Sequence, residues 1–268
     1  MSDLPVNLVL IGVGSSFALS GLFYHLYQEK QKELQKLKEI PLFRPDQNLL
    51  RVLQATPYRR LQYVAVEGMV QADGEPLASQ FVPRRSAVIQ KIAVEEDWKY
   101  WNSITGTWNS RTINRKETNN AVPFSLVSPS AYIPDVYVKV HGPLEAGGSF
   151  LERVHFKVRR AEEGLVDVVV QGLNGEKPVA KRESEELLCV GSTVTGFGEV
   201  VLEGGQVARL QAPQDGRQFV LVPTCHRSFI QRHEDSASMW KKLTALASIT
   251  GTCLLAGFVH NLSKRKDR

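Results

Sequence analysis

Two uncharged apolar runs stand near the ends of the chain, and the charged residues are pushed between and beyond them. Leu8 to Tyr24 reads LVLIGVGSSFALSGLFY. Extended to Val6 and Tyr27, this run predicts a helix of about 33 Å, at about 1.5 Å per residue, against a hydrocarbon core of about 30 Å. Phe23, Tyr24 and Tyr27 fall at its end, where a membrane interface favours amphipathic rings. Leu243 to Val259 reads LTALASITGTCLLAGFV, with Trp240, Lys241 and Lys242 at one end and His260 and Lys264-Arg265-Lys266 at the other. This run is apolar on every face, unlike an amphipathic core helix. At about 25 Å it relies on snorkelling lysines or a thin bilayer to complete a crossing.

Both runs carry small residues four apart, Gly12, Ser16 and Ser20 in the first and Thr244, Ser248, Thr252 and Ala256 in the second. Such stripes let helices approach closely in lipid, although small residues are common in membrane spans for other reasons too. A cleaved signal peptide competes for the first run. Its leading residues, Met-Ser-Asp-Leu-Pro, lack the positive charge such a signal carries. The following QEKQKELQKLKEI continues the helical pattern with Leu34 and Leu37 on one side, so the run is expected to remain as an anchor. Two spans put both termini on one side and the middle on the other. Basic residues flank both sides, so charge does not decide which.

Between the runs the pattern changes to short segments dense in Val, Ile, Tyr and Phe, punctuated by Gly, Pro, Asn and Asp. Strands are predicted at 63–70, 87–95, 137–141, 153–158, 166–171, 193–202 and 219–222. Helices are predicted at 49–55 and 184–188, and over 227–243 leading into the second span. Gly204-Gly205 signals a hairpin with a two-residue loop. The expected fold class is α+β, a β-rich domain flanked by two transmembrane helices. Its divisions are a tail at 1–5, a span at 6–27, a charged helical extension at 28–45, the domain at 46–239, a span at 240–262 and a basic tail at 263–268.

Composition changes this picture little. The 268 residues are 43% hydrophobic and 23% charged, which excludes a disordered chain. The net charge of +5 is concentrated in clusters beside the apolar runs, which suits lipid headgroups better than nucleic acid. Three cysteines (Cys189, Cys225 and Cys253) form no C-x-x-C pair. Cys225, His226 and His233 lack a fourth ligand at metal-binding spacing, so no metal site is expected. Gly191, Gly196 and Gly198 have a spacing similar to a phosphate loop. No Gly-Lys-Ser/Thr follows, and the segment reads as β, so they are expected to be turn or bulge glycines. No catalytic residue can be named. Trp98, Trp101 and Trp108 form either an aromatic binding face or ordinary strand packing.

Several blocks together resemble a known family: YVAVEGMV and LASQF (63–81), WNSITGTWN (101–109), AVPFSLV (121–127), GEKPVAKRESEELLCVGSTVTGFGEVVL (175–202) and RLQAP (209–213). The chain resembles the membrane part of the mitochondrial ubiquitin ligases called MULAN or MAPL (mitochondria-anchored protein ligase), with 175–202 the most specific block. The resemblance implies a beside-a-membrane, or GIDE-type, domain in the intermembrane space, between two helices of the mitochondrial outer membrane, with both termini cytosolic. In that family a cytosolic zinc-binding RING after the second span recruits the ubiquitin-conjugating enzyme. It transfers ubiquitin and SUMO in mitochondrial dynamics, mitophagy and apoptosis. The sequence stops at Arg268 and offers no position for a RING ligand. The chain is therefore expected to be an anchor and sensor without activity of its own, with zinc only in a RING-bearing form. The alternative is a non-enzymatic scaffold or competitor. Its expected partners are the lipid bilayer, a second copy or a full-length ligase, with a conjugating enzyme only through a RING and no nucleic acid.

Overall fold

From Val6 the chain is helical without a break to Glu39 (α1). A nine-residue helix, Gln47–Ala55 (α2), follows, and a long one, His226–Lys266 (α3), closes the chain. The structure, a computed structural model, describes residues 6–129, 136–160, 176–205 and 207–266. The strand expected at 166–171 lies outside the described residues. The chain divides into two compact units, the two long helices with their flanks and the stretch Leu42–Cys225.

In the helical unit α1 and α3 run antiparallel. Phe23 meets Trp240 with ring centroids 5.8 Å apart, and Lys38 pairs with Glu234 at 2.6 Å. Among the covered positions of α1, Val13, Ser16, Ser20, Phe23, Tyr27, Lys30, Leu34 and Leu37 recur at alternating spacings of three and four, with Val9, Gly12, Leu26 and Gln31 beside them. This period of about 3.5 is the heptad pattern of helices that wrap around one another. The seam runs through the apolar run and the charged extension alike, so α1 is one rod across a boundary that composition suggests. Away from the seam, Leu10, Ile11, Leu22, Leu246, Ile249 and Val259 are exposed. Only 11% and 6% of the two apolar windows are buried, which is unlike core helices of a soluble fold.

The second unit contains twelve strands among the described residues. They are β1 (Leu42–Phe43), β2 (Arg60–Ala72), β3 (Leu77–Ala78), β4 (Ser86–Asn102), β5 (Thr107–Ala121), β6 (Phe124–Val127), β7 (Tyr137–Val140), β8 (Glu152–Arg160), β9 (Glu176–Cys189), β10 (Thr193–Glu203), β11 (Val207–Gln211) and β12 (Val220–Val222). Five of them close on themselves in the order β2-β6-β7-β11-β10 and back to β2. All pair antiparallel except β7 with β11. In chain order this is 1-2-3-5-4-1, the connectivity of the five-stranded OB barrel, which by itself carries no function. Val64, Val66, Phe124, Leu126, Val138 and Leu210 fill the interior. Helix α2 adds Leu49 and Leu53 to this core, its start capped by Asp46, which accepts from the Leu49 amide at 2.9 Å.

The glycines of 191–198 are turn and close-approach residues. Gly191 has φ +82° in the turn before β10, while a Cβ on Gly198 would lie 2.6 Å from the Gln211 carbonyl oxygen. At Gly204-Gly205 the expected two-residue loop is not formed. Glu203 pairs with Val207, so three residues connect β10 to β11.

The remaining long strands form a second sheet, β5-β4-β9-β8, with β3 beside the start of β4. Here sequence expectation fails twice. Residues 184–188, rich in the helix formers Glu and Leu, lie in β9, with Glu185 opposite Ile92 and Glu186 opposite Lys91. Leu187 and Leu188 are buried, and their pairing overrides a weak local preference. Strand β5, TWNSRTINRKETNNA, is too polar to show alternation and is held by its register along β4.

One buried carboxylate ties this sheet to the loop after β3. Glu185 is 0% exposed and accepts from the Ser79 hydroxyl (2.6 Å), the Gln80 amide (2.8 Å), the Gln90 side chain (2.7 Å) and the Phe81 amide (3.3 Å). Phe81 in turn stacks on His155 of β8 at 4.4 Å. Burial is the largest single influence on Glu185 and pushes its carboxyl up. The four donors together outweigh it, so the group sits below the usual carboxylate range.

Glu185→Gln would turn an amide NH2 toward donors, and about 2–4 kcal/mol of stability should be lost, measured by urea unfolding of the β-rich unit in the full chain. A depressed folded-state pKa stabilises fully above the unfolded value of about 4.3 and is lost as pH falls through the lower folded value. Acidification through that window should therefore cost the wild type more than Glu185→Gln. Parallel stability-pH curves would contradict the assignment.

Candidate functional site

Of the small residues singled out on the two helices, the structure brings together Ser20 with Thr244 and Ser248, while Gly12 and Ser16 meet other positions of α3. Ser20 is 8% exposed, and its Oγ lies 2.6 Å from Ser248 Oγ and 3.4 Å from the Thr244 carbonyl. Ser248 Oγ lies 2.9 Å from that same carbonyl, and either hydroxyl can be the donor between the two serines. Gly12 faces Leu254, 3.7 Å from where its Cβ would be.

Thr252 and Ala256 are not on the seam. Both are exposed, and Thr252 Oγ1 returns to its own helix at the Ile249 and Ser248 carbonyls (2.8 and 3.1 Å). The reason is geometric. A step of four residues overshoots a 3.6-residue turn by about 40°, so a strict four-residue stripe drifts off the contact face within about three steps. The position that replaces them is Gly251, which is buried, with Phe17 and Ser16 both 3.3 Å from its would-be Cβ. Reading a heptad instead of a four-residue stripe would have found it.

The three tryptophans lie on the hairpin of β4 and β5. Trp101 and Trp108 are directly opposite, with ring centroids 5.5 Å apart edge to face, and are 46% and 45% exposed. Trp98 is one of the partly buried residues of β4, and its Nε1 is buried without a hydrogen-bond partner among the described residues. The turn is held by Asn102, whose Oδ1 accepts from the Ile104 amide at 3.0 Å, and by Gly106 at φ +63°. Farther down the hairpin, the Arg182 guanidinium and the Thr112 hydroxyl bind Asp97 and hold its carboxyl below the usual range against the upward push of burial.

On the same sheet, Lys91, Glu95, Arg115, Arg153, Arg182 and Glu186 line a polar hollow of about 360 Å³. Its charges are matched in pairs, Lys91 with Glu117 at 2.8 Å, Arg115 with Glu95 at 3.3 Å and Arg153 with Glu186 at 3.0 Å. The arrangement assembles no nucleophile and base. Cys189, Cys225 and Cys253 take part in no disulfide among the described residues, and His233 packs edge-on against Phe229 at 4.7 Å. Among the described residues no three His, Cys, Asp or Glu side chains group as metal ligands.

The family model described as GIDE, E3 ubiquitin ligase, matches residues 95–257, from the long hairpin into α3. A mitochondrial ubiquitin ligase activator of nfkb 1-A from Danio rerio is 39% identical over 255 residues, covering 95% of this chain and 73% of the relative. The Homo sapiens mitochondrial ubiquitin ligase activator of NFKB 1 is 34% identical, over 92% of this chain and 69% of the relative. The Drosophila melanogaster mitochondrial E3 ubiquitin protein ligase 1 is 24% identical, over 96% and 74%. No solved structure matches the chain.

The seam predicts a cross-linking pattern. With Cys253 replaced by serine, Ser20→Cys combined with Ser248→Cys should oxidise to an intramolecular disulfide, visible as a faster-running monomer on a non-reducing gel. Ser20→Cys combined with Thr252→Cys should not. Equal cross-linking of both pairs would show that the helices do not hold this register.

Proposed function

The chain belongs to the GIDE family of E3 ubiquitin ligases, and from that premise we propose that it is the anchor and the sensing, substrate-recruiting portion of a mitochondrial outer-membrane ligase. The mitochondrial names of its relatives and two helices long and apolar enough to cross a membrane fit a mitochondrial membrane protein. The observation that carries the reading is the reach of the family match, which takes in most of the β-rich unit and the apolar part of α3 together. In this reading α1 and α3 cross the outer membrane, the β-rich unit lies in the intermembrane space and both termini are cytosolic. Conjugation of ubiquitin, and of SUMO, to proteins of mitochondrial dynamics, mitophagy and apoptosis belongs to a form carrying a zinc-held RING, which binds the conjugating enzyme.

A second reading is a scaffold that pairs or competes with complete ligases through its two long helices. Gly12, Ser16 and Ser20 already face the other helix of the same molecule. Contacts between copies, or with a complete ligase, therefore fall to outward positions such as Thr252 and Ala256.

Carbonate extraction should leave the chain in the membrane pellet, and protease added to intact mitochondria should remove a C-terminal tag. A tag protected until the outer membrane is ruptured would overturn the topology. Purified residues 1–268, incubated with a charged conjugating enzyme, should hold no structural zinc and show no autoubiquitination. Zinc-dependent self-modification by these residues alone would place the catalytic module within them.

A further inference from the structure

The tip of the β4–β5 hairpin has a composition that packing within a sheet does not account for. A strand pair that covers a core is apolar on one face and polar on the other. In the register of this hairpin, Trp101 and Trp108 share one face, while Trp98, Tyr100 and Arg111 share the opposite one. The tip is therefore aromatic on both faces. At its apex Ile104 is 94% exposed, in a turn that any polar residue would satisfy. From Trp98 to Thr112 the chain carries Lys99 and Arg111 and no acidic residue. Arg111 lies over the Tyr100 ring, 5.6 Å from its centroid, where an amphipathic side chain keeps its charge beside an aromatic surface.

We infer that this tip enters the headgroup region of a lipid bilayer, with Ile104 deepest, the indoles of Trp101 and Trp108 at the polar–apolar boundary, and Lys99 and Arg111 toward the phosphates. Trp and Tyr are the side chains that such an interface favours, and each basic residue adds attraction to anionic lipid. A folded protein is a poorer occupant. A specific protein interface takes about 800 Å² from each partner and a shaped surface, which a turn and two flanking strand ends do not offer. A bilayer requires no matching shape. The unit that carries the hairpin is also joined at both ends to a helix apolar enough to cross a membrane, which raises the effective concentration of lipid around it. The inference stands apart from the ligase reading, since it concerns the tip's own chemistry, and two bilayers qualify: the one holding the chain and a facing one.

The test uses the full chain in vesicles of phosphatidylcholine and phosphatidylserine. Cys189, Cys225 and Cys253 are replaced by serine, and Ile104→Cys carries an NBD label. Doxyl lipid is placed either in the vesicles holding the chain or in added protein-free vesicles. A blue-shifted emission quenched in one arm supports the inference and identifies the bilayer. Trp101→Ser with Trp108→Ser should return the label to its emission in water. A second measurement keeps all cysteines and compares quenching of intrinsic fluorescence by brominated lipid, in the same two arms, between wild type and Trp101→Phe/Trp108→Phe. The quenchable fraction should fall in the variant. A label that reports water in both arms, with equal intrinsic quenching in the two proteins, overturns the inference whatever carbonate extraction shows for the helices.

Discussion

Strand β2 runs antiparallel to β10 from Met69 opposite Thr193 to Arg60 opposite Val201, and β10 carries β11 and β12 on its other edge. That pairing closes the barrel, and every other part of the β-rich unit is arranged around it. It brings the aliphatic side chains of two strands far apart in sequence onto one interior. It also forces close packing where β10 passes Leu210, Leu221 and the Gln211 carbonyl, so glycine stands at 196 and 198. With the barrel closed, the segment between β2 and β6 and the segment between β7 and β10 must leave it and return. Their strands pair with each other as the second sheet, and the family-matching hairpin belongs to that excursion.

The second sheet faces a different problem. Its strands are long, polar and lined with charge, so they bury too little to be held by the hydrophobic effect alone. Opposite charges placed across the strands, Lys91 with Glu117 and Arg153 with Glu186, avoid repulsion but, being partly exposed, contribute little each. The buried carboxylate of Glu185 is different. Four donors converge on it, and an unmade hydrogen bond there would leave a charge without compensation. Within this unit the hydrophobic core explains the barrel, and a hydrogen-bonded charge explains how the loop after β3 is fastened to the sheet.

The helical unit obeys the rule that buried polar groups must find partners, in a form suited to lipid. Its hydroxyls return to carbonyls of their own helix, as Ser16 does to Gly12 and Thr244 to Trp240, and across the seam Ser20 meets the Ser248 hydroxyl and the Thr244 carbonyl. Along the uncharged stretch, Ser16, Ser20, Ser248 and Gly251 stand where the helices touch while Leu10, Ile11, Leu22, Leu246 and Ile249 face outward, which reverses the usual distribution of a water-soluble pair. This fits a surface whose solvent is hydrocarbon.

Much of this was determined by the sequence alone, for local reasons. An uncharged run of the right length specifies a helix fit to cross a membrane. Dense Val and Ile between turn residues specify strands such as β2, β4 and β10. The positive φ that Gly191 adopts is one its residue type tolerates. The α+β class follows from the same patterns, whereas the resemblance is carried by specific blocks such as 175–202. What tertiary structure decided depended on partners distant in the chain. Glu185 and its neighbours became a strand because β4 was there to pair with them, and β5 formed although its own residues show no alternation. Thr252 and Ala256 left the helix contact because two rods in contact follow the 3.6-residue turn, which a count of every fourth residue does not track. Nor did the sequence place Trp101 opposite Trp108 and Trp98 on the other face, because face is set by register, and register is a relation between two strands.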